Sequence, residues 1–401
     1  MYWSEFLLSS TGIGIYCLYL WGEKYFLSRR KNSIPLRIAV TGSRGKSTVT
    51  RMITSILREA GFSPMAKITG SKPVIIYPDG KEEEIKRRGL PSILEVKGFL
   101  KHCSQSGAKA SICELMSIHP ECLQMESCQI FKPHYLVITN VRLDHIPQQG
   151  ETMEKIASSL SLAIPWKSTV VIPQEECYSV FKEAAFRKKS HLIQVSPEVN
   201  QVNFFREKIN PGFMFEENIR LSEAVTGLLG IESEVIRRGM MSYSPDFGAL
   251  KAWWLKVSPS LEPWLCVSIF AANDPESTRL IFDRIKKTSW SEGRKISGLL
   301  SLRPDRGDRT YQWIEALRKN LFPEIKSIYL IGKQANVFHR KTASFFKGKM
   351  VVLKSMRAQH ILETIFSKEK EAGILVGLGN IGGLGREMVD FWEEKGEKRD
   401  P

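Results

Sequence analysis

The chain has 401 residues, which is long enough for two or three domains, each with its own core. Its composition, 42% hydrophobic and 25% charged, is typical of a globular protein and excludes a mainly disordered chain. The net charge of +15 indicates an anionic partner such as a nucleotide, a polyanionic product, an acidic lipid or a nucleic acid, although a solvated basic surface has the same composition. The seven cysteines show no C-x-x-C spacing and no zinc-finger spacing to histidine, which argues against disulfides and structural metals.

An uncharged, apolar run from Phe6 to Gly22 opens the chain. Its length is near the lower limit of about 17 residues for a membrane-spanning helix. A basic cluster follows it, and such a cluster predicts that the rest of the chain stays cytoplasmic; its members are Arg29, Arg30 and Lys31. The sequence therefore predicts an N-terminal hydrophobic helix that crosses the cell membrane once. The small and hydroxyl residues from Ser9 to Gly14 keep a buried or interfacial helix as the alternative.

A glycine-rich stretch lies between a predicted buried strand, Leu36 to Thr41, and an amphipathic helix with apolar residues at helical spacing from Val49 to Leu57. This arrangement points backbone N–H groups and the positive end of the helix at an anion. Lys46 is expected to reach the terminal phosphates, and Ser47 or Thr48 to place a hydroxyl on Mg²⁺. The stretch therefore predicts a nucleoside-triphosphate site, and a merely structural turn is the alternative. The residues expected to bind the nucleotide are Thr41, Gly42, Arg44, Gly45, Lys46, Ser47 and Thr48.

Polar side chains follow two further predicted strands. Glu114 lies near the end of the strand from Ala108 to Leu115, where a nucleotide-bound Mg²⁺ would find a carboxylate ligand. The strand from Tyr135 to Thr139 leads directly into Asn140 and, four residues later, Asp144 and His145. Side chains at such strand ends usually line the ligand crevice of an open α/β sheet. His145 is favoured as functional, and a structural histidine is the alternative.

The second half again alternates strands and helices, which predicts a smaller doubly wound sheet. A proline- and glycine-containing stretch from Ser244 to Leu250 predicts a domain boundary near residue 245. Two loops carry chemically active side chains. Arginines at the end of a strand are suited to binding phosphates and carboxylates, and a surface ion network is the alternative interpretation. The first loop contains Asn273 and Asp274, and the second contains Arg303, Asp305, Arg306, Asp308 and Arg309.

A G-x-G-x-x-G pattern extends from Gly377 to Gly382. A dinucleotide site would require a complete βαβ unit and an acidic residue about 20 positions further on. Only the helix predicted from Arg386 to Glu394 fits before the chain stops. The pattern is therefore interpreted as a tight turn that closes the last strand.

The stretch from Thr41 to Thr48, Glu114 and the segment from Thr139 to His145 together resemble the Mur ligase superfamily, the ATP-dependent amide-forming ligases. Within the superfamily the resemblance is closest to the ligase subunits of poly-γ-glutamate synthases. It covers nearly the whole chain, including the short apolar N-terminus. Further similar stretches are Gly45 to Arg51, Glu114 to Pro120, Phe270 to Thr278, Arg303 to Thr310 and Gly377 to Ile381.

The resemblance implies an α/β fold in three parts: an N-terminal anchor helix at 1–31, an ATP-binding central domain with a parallel sheet at 35–244, and a Rossmann-like domain at 245–401. It implies a ligase that uses ATP and Mg²⁺ to convert a carboxylate into an acyl phosphate, which an amine then attacks. Glutamate and a growing poly-γ-glutamate chain are the implied substrates. Small membrane subunits and the inner surface of the membrane are the implied partners, with a homo-oligomer as a further possibility. No nucleic acid is expected, because only the net charge suggests one and no interleaving of basic and aromatic residues supports it.

The resemblance also implies roles for individual residues. Lys46, His145 and Arg306 are expected to be catalytic, and Ser47, Glu114 and His145 to bind metal. Asn218 is expected to contact the adenine. The other residues expected at the nucleotide are Asn140, Asn273, Asp274 and Arg303.

Three departures from the superfamily pattern stand out. Many members carry a carbamylated lysine about fifteen residues after the Asp-His pair, whereas the segment from Ser158 to Ala163 contains no lysine. Pro147 occupies a position where an aspartate is common. Only about 35 residues precede the phosphate loop, which argues against a peptidoglycan precursor as substrate. The alternative function is a membrane-anchored P-loop ATPase or kinase that regulates polymer export.

Overall fold

The structure is a computed structural model that describes residues 2–70, 72–87, 89–143, 146–197, 215–245, 250–256, 262–272, 274–286, 289–291, 293–369 and 371–399. These residues divide into two compact units, one before residue 245 and one from Pro245 onward. The finer domain limits given above, 1–31, 35–244 and 245–401, stay a prediction.

The first unit contains one sheet with the strands β1 Leu36–Thr41, β2 Pro64–Ile68, β3 Val74–Ile76, β4 Glu82–Glu84, β5 Ala110–Glu114, β6 Tyr135–Ile138, β7 Thr169–Pro173 and β8 His191–Val195. Their order is β4-β3-β2-β5-β1-β6-β7-β8. The strands from β2 to β8 in this order are parallel, and β3 and β4 extend one edge with antiparallel pairing. Every residue of β1 and β5 is buried, as expected for central strands that are covered on both faces.

Helices and apolar clusters cover both faces of this sheet. Ala39 belongs to one core cluster and its neighbours Ile38 and Val40 to another, so the clusters lie on opposite faces of β1. A π-helical segment, Met125–Phe131, and a 3₁₀ turn, Gln174–Glu176, add to the helices. The helices are α1 Tyr2–Asn32, α2 Lys46–Glu59, α3 Glu95–Gln105, α4 Pro120–Gln124, α5 Ile146–Gln149, α6 Met153–Ser161, α7 Ser179–Arg187, α8 Glu216–Gly227 and α9 Ser233–Met241.

The N-terminal residues form α1, but the predicted membrane span is not supported. Among the residues that the structure describes, no helix is long and apolar enough to cross a membrane. The uncharged run contains three glycines and several hydroxyl side chains, which lower its mean hydropathy. The end of α1 packs on the unit through an ion pair between Glu23 and Lys97 and a hydrogen bond from Lys31 Nζ to the Gln129 carbonyl at 3.1 Å.

The second unit contains a seven-stranded sheet with the strands β9 Lys251–Leu255, β10 Trp264–Ser268, β11 Ile296–Ser301, β12 Ile325–Ile331, β13 Lys349–Val352, β14 Ile374–Gly379 and β15 Glu397–Arg399. Their order is β13-β12-β11-β14-β10-β9-β15. The strands from β13 to β10 are parallel, while β9 and β15 pair antiparallel at the other edge. The sequence did not indicate three of these strands: β9 and β15, which extend one edge of the predicted doubly wound sheet, and β13 at its other edge.

Five helices of the second unit follow its parallel strands. A tight turn that includes Gly379, with φ of +83°, leads from β14 into the last helix. β14 is not the last strand, however, because the chain continues into β15. The helices are α10 Pro275–Lys286, α11 Gly307–Arg318, α12 Ala335–Thr342, α13 Ala358–Lys368 and α14 Leu384–Lys395.

Candidate active site

The phosphate loop lies between β1 and α2, at the carboxyl edge of the parallel strands. Gly42 and Gly45 both adopt positive φ, +123° and +81°, which non-glycine residues rarely tolerate. A methyl group on Gly42 would also collide with Thr139 Oγ1, and one on Gly45 with the Asn218 side chain. Both glycines are therefore required by the close approach of neighbouring segments to this loop.

Lys46 begins α2 and folds back over the loop. Its Nζ donates to the carbonyl of Gly42 at 2.6 Å and to that of Ser43 at 3.3 Å. The ammonium group is thus positioned over the backbone that a phosphate chain would follow. Arg44 and Thr48 lie half-buried beside it, and Thr41 is buried at the end of β1.

Glu114 lies next to the first turn of α2. In the parallel pairing of β1 and β5 it is the register partner of Val40, so the carboxylate comes to the same sheet edge as the loop. It is 2% exposed, and its Oε2 accepts from Ser47 Oγ at 3.0 Å and from the Thr69 N–H at 2.8 Å. Hydroxyl and carboxylate oxygens are the ligands that Mg²⁺ prefers, together with substrate phosphates. The pair Ser47 and Glu114 therefore fits a Mg²⁺ ion.

The segment after β6 is attached directly to the phosphate loop. Asn140 Oδ1 accepts from the Arg44 N–H at 2.9 Å, and the Asn140 carbonyl accepts from the Ser43 N–H at 3.0 Å. Asn140 is thus placed at the predicted site. Asp144 and His145 lie outside the described residues, so the expected metal and catalytic roles of His145 stay a prediction.

Asn218 lies on the other side of the loop, in the first turn of α8. It is 3% exposed, and its amide packs against Gly45. The structure thus brings Asn218 to the nucleotide loop, although 172 residues separate it from Lys46 in the sequence. Its contact with the adenine stays a prediction.

The second unit places its predicted residues at the carboxyl edge of its own sheet. Asp274 caps α10 by accepting from the Ser277 N–H at 2.8 Å, and Asn273 lies outside the described residues. Arg303 donates to both carboxylate oxygens of Asp305, at 3.0 and 2.6 Å, and these bonds lower the pKa of Asp305. Arg306 Nε lies 3.6 Å from Asp308 Oδ1. The aspartates thus pair with the arginines, an arrangement that fits both anion binding and the alternative of a surface ion network.

Sequence reasoning missed four residues beside the loop. Ser43 exchanges hydrogen bonds with the backbone of Arg142, whose guanidinium contacts Glu176 and Glu217. A signal for Glu176 exists in the sequence, since it follows β7 at the same sheet edge as Glu114. Burial is the main cause that raises the pKa of the Glu217 carboxyl group.

Comparisons with known proteins agree with this architecture. The Mur ligase middle domain family matches residues 40–236, and the poly-gamma-glutamate synthase CapB C-terminal domain family matches residues 255–395. The chain is 32% identical to the capsule biosynthesis protein CapB of Bacillus anthracis over 92% of this chain and 78% of that protein. It is 30% identical to the PGA synthase CapB of Bacillus subtilis over 92% of this chain and 93% of that protein.

A solved structure of E. coli FolC in complex with ADP has the same fold, with a TM-score of 0.67 at 15% identity over 93% of this chain and 94% of that one. The likeness to FolC concerns the fold, while the two CapB relatives extend over most of both chains. The protein therefore belongs to the CapB family of poly-gamma-glutamate synthases, ATP-dependent acid–amino-acid ligases with the Mur ligase fold.

Proposed function

We propose that this chain activates a glutamate carboxylate as an acyl phosphate with ATP and joins it to the amino group of a second glutamate, so that poly-γ-glutamate grows. The observation that carries the proposal is the arrangement of Lys46, Ser47 and Glu114 around one phosphate loop. Membership of the CapB family supports the choice of glutamate. The excess of positive charge suits both the substrate and its polyanionic product.

Phosphoryl transfer needs positioning and charge neutralisation more than covalent help from the protein. The N–H groups at the start of α2 and the Lys46 ammonium would bind and orient the phosphates. Ser47 and Glu114 would hold Mg²⁺, which would neutralise the charge that develops on the transferred phosphoryl group. Thr41, Gly42, Arg44, Gly45 and Thr48 complete the proposed nucleotide site.

Other residues have proposed roles that rest on the family resemblance. His145 is the proposed ligand of a second metal that orients the acceptor carboxylate. Arg306 is the proposed catalytic arginine, and it acts on phosphate or carboxylate oxygens. The second unit also supplies Arg303, Asn273 and Asp274 as proposed nucleotide ligands.

The proposed partners are the inner membrane surface and small membrane subunits, contacted through α1. Large apolar side chains of this helix are exposed, for instance Tyr19 at 63% and Trp21 at 66%. Arg29 and Arg30 near its end suit an anionic lipid surface, whereas Lys31 is buried and donates to the Gln129 carbonyl. Flotation with anionic vesicles tests this proposal, and binding that persists after Trp21→Ser and Tyr19→Ser would contradict it.

The alternative, a P-loop ATPase or kinase that regulates export, shares the phosphate loop but forms no amide. We expect phosphate release from ATP and Mg²⁺ to increase with glutamate or short γ-glutamyl chains and an amide product to appear. Lys46→Ala should reduce this activity by at least about 100-fold, because it removes a charge that stabilises the transition state. His145→Ala should abolish amide formation.

The matched control is Lys295→Ala, which removes an exposed ammonium that is paired with Glu371 in the second unit. Its activity should equal that of the parent. ATP turnover that ignores glutamate and survives His145→Ala would assign the chain to the ATPase class.

A further inference from the structure

Arg142 lies where four segments of the first unit meet. Its backbone N–H donates to Ser43 Oγ at 2.9 Å, and its carbonyl accepts from the same hydroxyl at 3.1 Å. Its guanidinium is hydrogen-bonded to Glu176, and Nη2 lies 3.7 Å from Glu217 Oε1. One residue thus joins the phosphate loop, the segment after β6, the turn after β7 and the first turn of α8.

Glu176 anchors this junction from its buried side. It is 4% exposed, and its second oxygen accepts from the Val141 N–H at 3.1 Å. The guanidinium of Arg142, whose side chain is 35% exposed, also donates to the Val141 carbonyl at 2.8 Å. Because a buried carboxylate without its cationic partner is destabilising, the contacts of Glu176 favour the observed position of Val141 and Arg142.

The junction controls the two asparagines that flank the phosphate loop. Asn140 lies two residues before Arg142, and its side chain accepts from the Arg44 N–H. Asn218 directly follows Glu217 and packs on Gly45. We infer that Arg142 is a positioning residue of the nucleotide site, which holds Asn140 and Asn218 on the phosphate loop through Ser43, Glu176 and Glu217. This inference rests on the proposed ATP-dependent function.

Charge gives the inference a second readout. The groups whose charges face Glu217 are Arg142 after β6, Glu175 and Glu176 after β7, and Arg220 on α8 itself. Arg220 is already paired with Glu175. Without Arg142, the repulsion between the negative charges of Glu217 and Glu176 is no longer offset. Burial raises the pKa of Glu217, and protonation of Glu217 relieves this repulsion. The defect of a variant without Arg142 is therefore largest at high pH and decreases as the pH falls.

The test compares the full chain with Arg142→Met, with the double variant Arg142→Met/Glu217→Gln, and with Arg237→Met as control. Arg237 forms an exposed pair with Glu234 on α9, so the control removes the same charge elsewhere. We expect Arg142→Met to raise KM for ATP about tenfold at pH 8 while kcat changes less than about threefold, within the range of coupling between contacting residues. The increase in KM should become smaller as the pH is lowered, because Glu217 then loses its negative charge.

In the double variant, KM for ATP should be at most about threefold higher than in the parent. KM of Arg237→Met should equal that of the parent. A change in kcat with KM unaltered, or no recovery by Glu217→Gln, would overturn the inference. If Arg142→Met does not fold, Arg142→Lys is tested instead. It keeps the positive charge but has only one nitrogen to contact both Glu176 and Glu217. A KM for ATP equal to that of the parent at every pH would then overturn the inference.

Direct titration with ADP separates this inference from the proposed function. An affinity for ADP that falls about tenfold in Arg142→Met supports the positioning role even if glutamate does not stimulate turnover. Intact ADP binding by the parent without glutamate-dependent turnover would overturn the proposed function alone. Unchanged ADP affinity in Arg142→Met together with glutamate-dependent turnover would overturn the positioning role alone.

Discussion

The two units hold their candidate site residues in different ways. In the first unit the contacts join distant segments: Ser47 to Glu114 across 67 positions and Ser43 to Arg142 across 99. In the second unit Arg303 and Arg306 are each paired with an aspartate two positions further along. The first set of contacts exists only when parallel strands lie in register, whereas the second forms within one loop. Substitutions in the first unit should therefore perturb a site fixed by the fold, and those in the second unit a locally held one.

Glu114→Gln should produce the largest effect. The amide oxygen still accepts hydrogen bonds, so the unfolding midpoint should stay within a few degrees, but the negative charge at the proposed Mg²⁺ position is lost. We expect glutamate-dependent phosphate release to fall by at least about 100-fold, as for loss of a group that stabilises developing charge. A Mg²⁺ titration of phosphate release checks this, with the exposed Glu121→Gln as control. Full activity at ordinary Mg²⁺ would contradict the metal role of Glu114.

Arg306→Ala tests the second unit and should have an intermediate effect. Arg306 is 29% exposed at its side chain, and its partner Asp308 is 32% exposed, so their pairing contributes little to stability. We expect kcat to fall about tenfold, or about 1.4 kcal/mol of transition-state stabilisation, with no change in the unfolding midpoint. Arg318→Ala, which removes an exposed partner of Glu315, is the control. An unaltered kcat would identify Arg306 as part of a surface ion network instead.

The phosphate loop of the first unit can be recognised in the sequence because its signals are local. An apolar strand, a glycine turn and an amphipathic helix lie together in the chain, and Glu114 and Asn140 stand at the ends of apolar runs. The contacts of Arg142 with Glu176 and Glu217 could not be predicted, since they depend on which strands and helices become neighbours. Strand β15 could not be predicted for another reason. Its residues, Glu397, Lys398 and Arg399, are all charged, and they form a strand because they pair with β9.

In the N-terminal segment, composition predicted a feature that the structure does not support. The absence of charge between Phe6 and Gly22 suggested a span, but the run includes enough glycine and hydroxyl residues that α1 does not reach the apolarity of one. The two asparagines on the phosphate loop illustrate a similar contrast. Asn140 is indicated by its strand, whereas the position of Asn218 came from family resemblance, because its approach to Gly45 depends on how α8 packs.

Glu324→Gln should give the smallest effect. It tests the comparison between the two units because Glu324 belongs to a long-range ion cluster in the second unit. Arg279 on α10 donates to its two carboxylate oxygens at 2.9 and 3.1 Å, and Lys286 Nζ lies 2.5 Å away. These partners, with Arg279 foremost, lower the pKa of Glu324 to about 2. Because the pKa in the folded protein lies below the ordinary value of 4.5, this stabilisation is fully present above about pH 5 and is lost as the pH falls towards 2.

At pH 7 we expect Glu324→Gln to cost about 1 kcal/mol, which lowers the unfolding midpoint by roughly 2–4 °C, and kcat should be unaltered. The difference in midpoint from the parent should narrow between pH 5 and pH 3, since protonation removes in the parent the charge that the variant lacks. Glu371→Gln is the matched control: its pair with Lys295 is 72% exposed at the glutamate, so its midpoint should equal that of the parent. A difference that stays constant with pH would show that the packing of the side chain, and not its charge, stabilises the second unit.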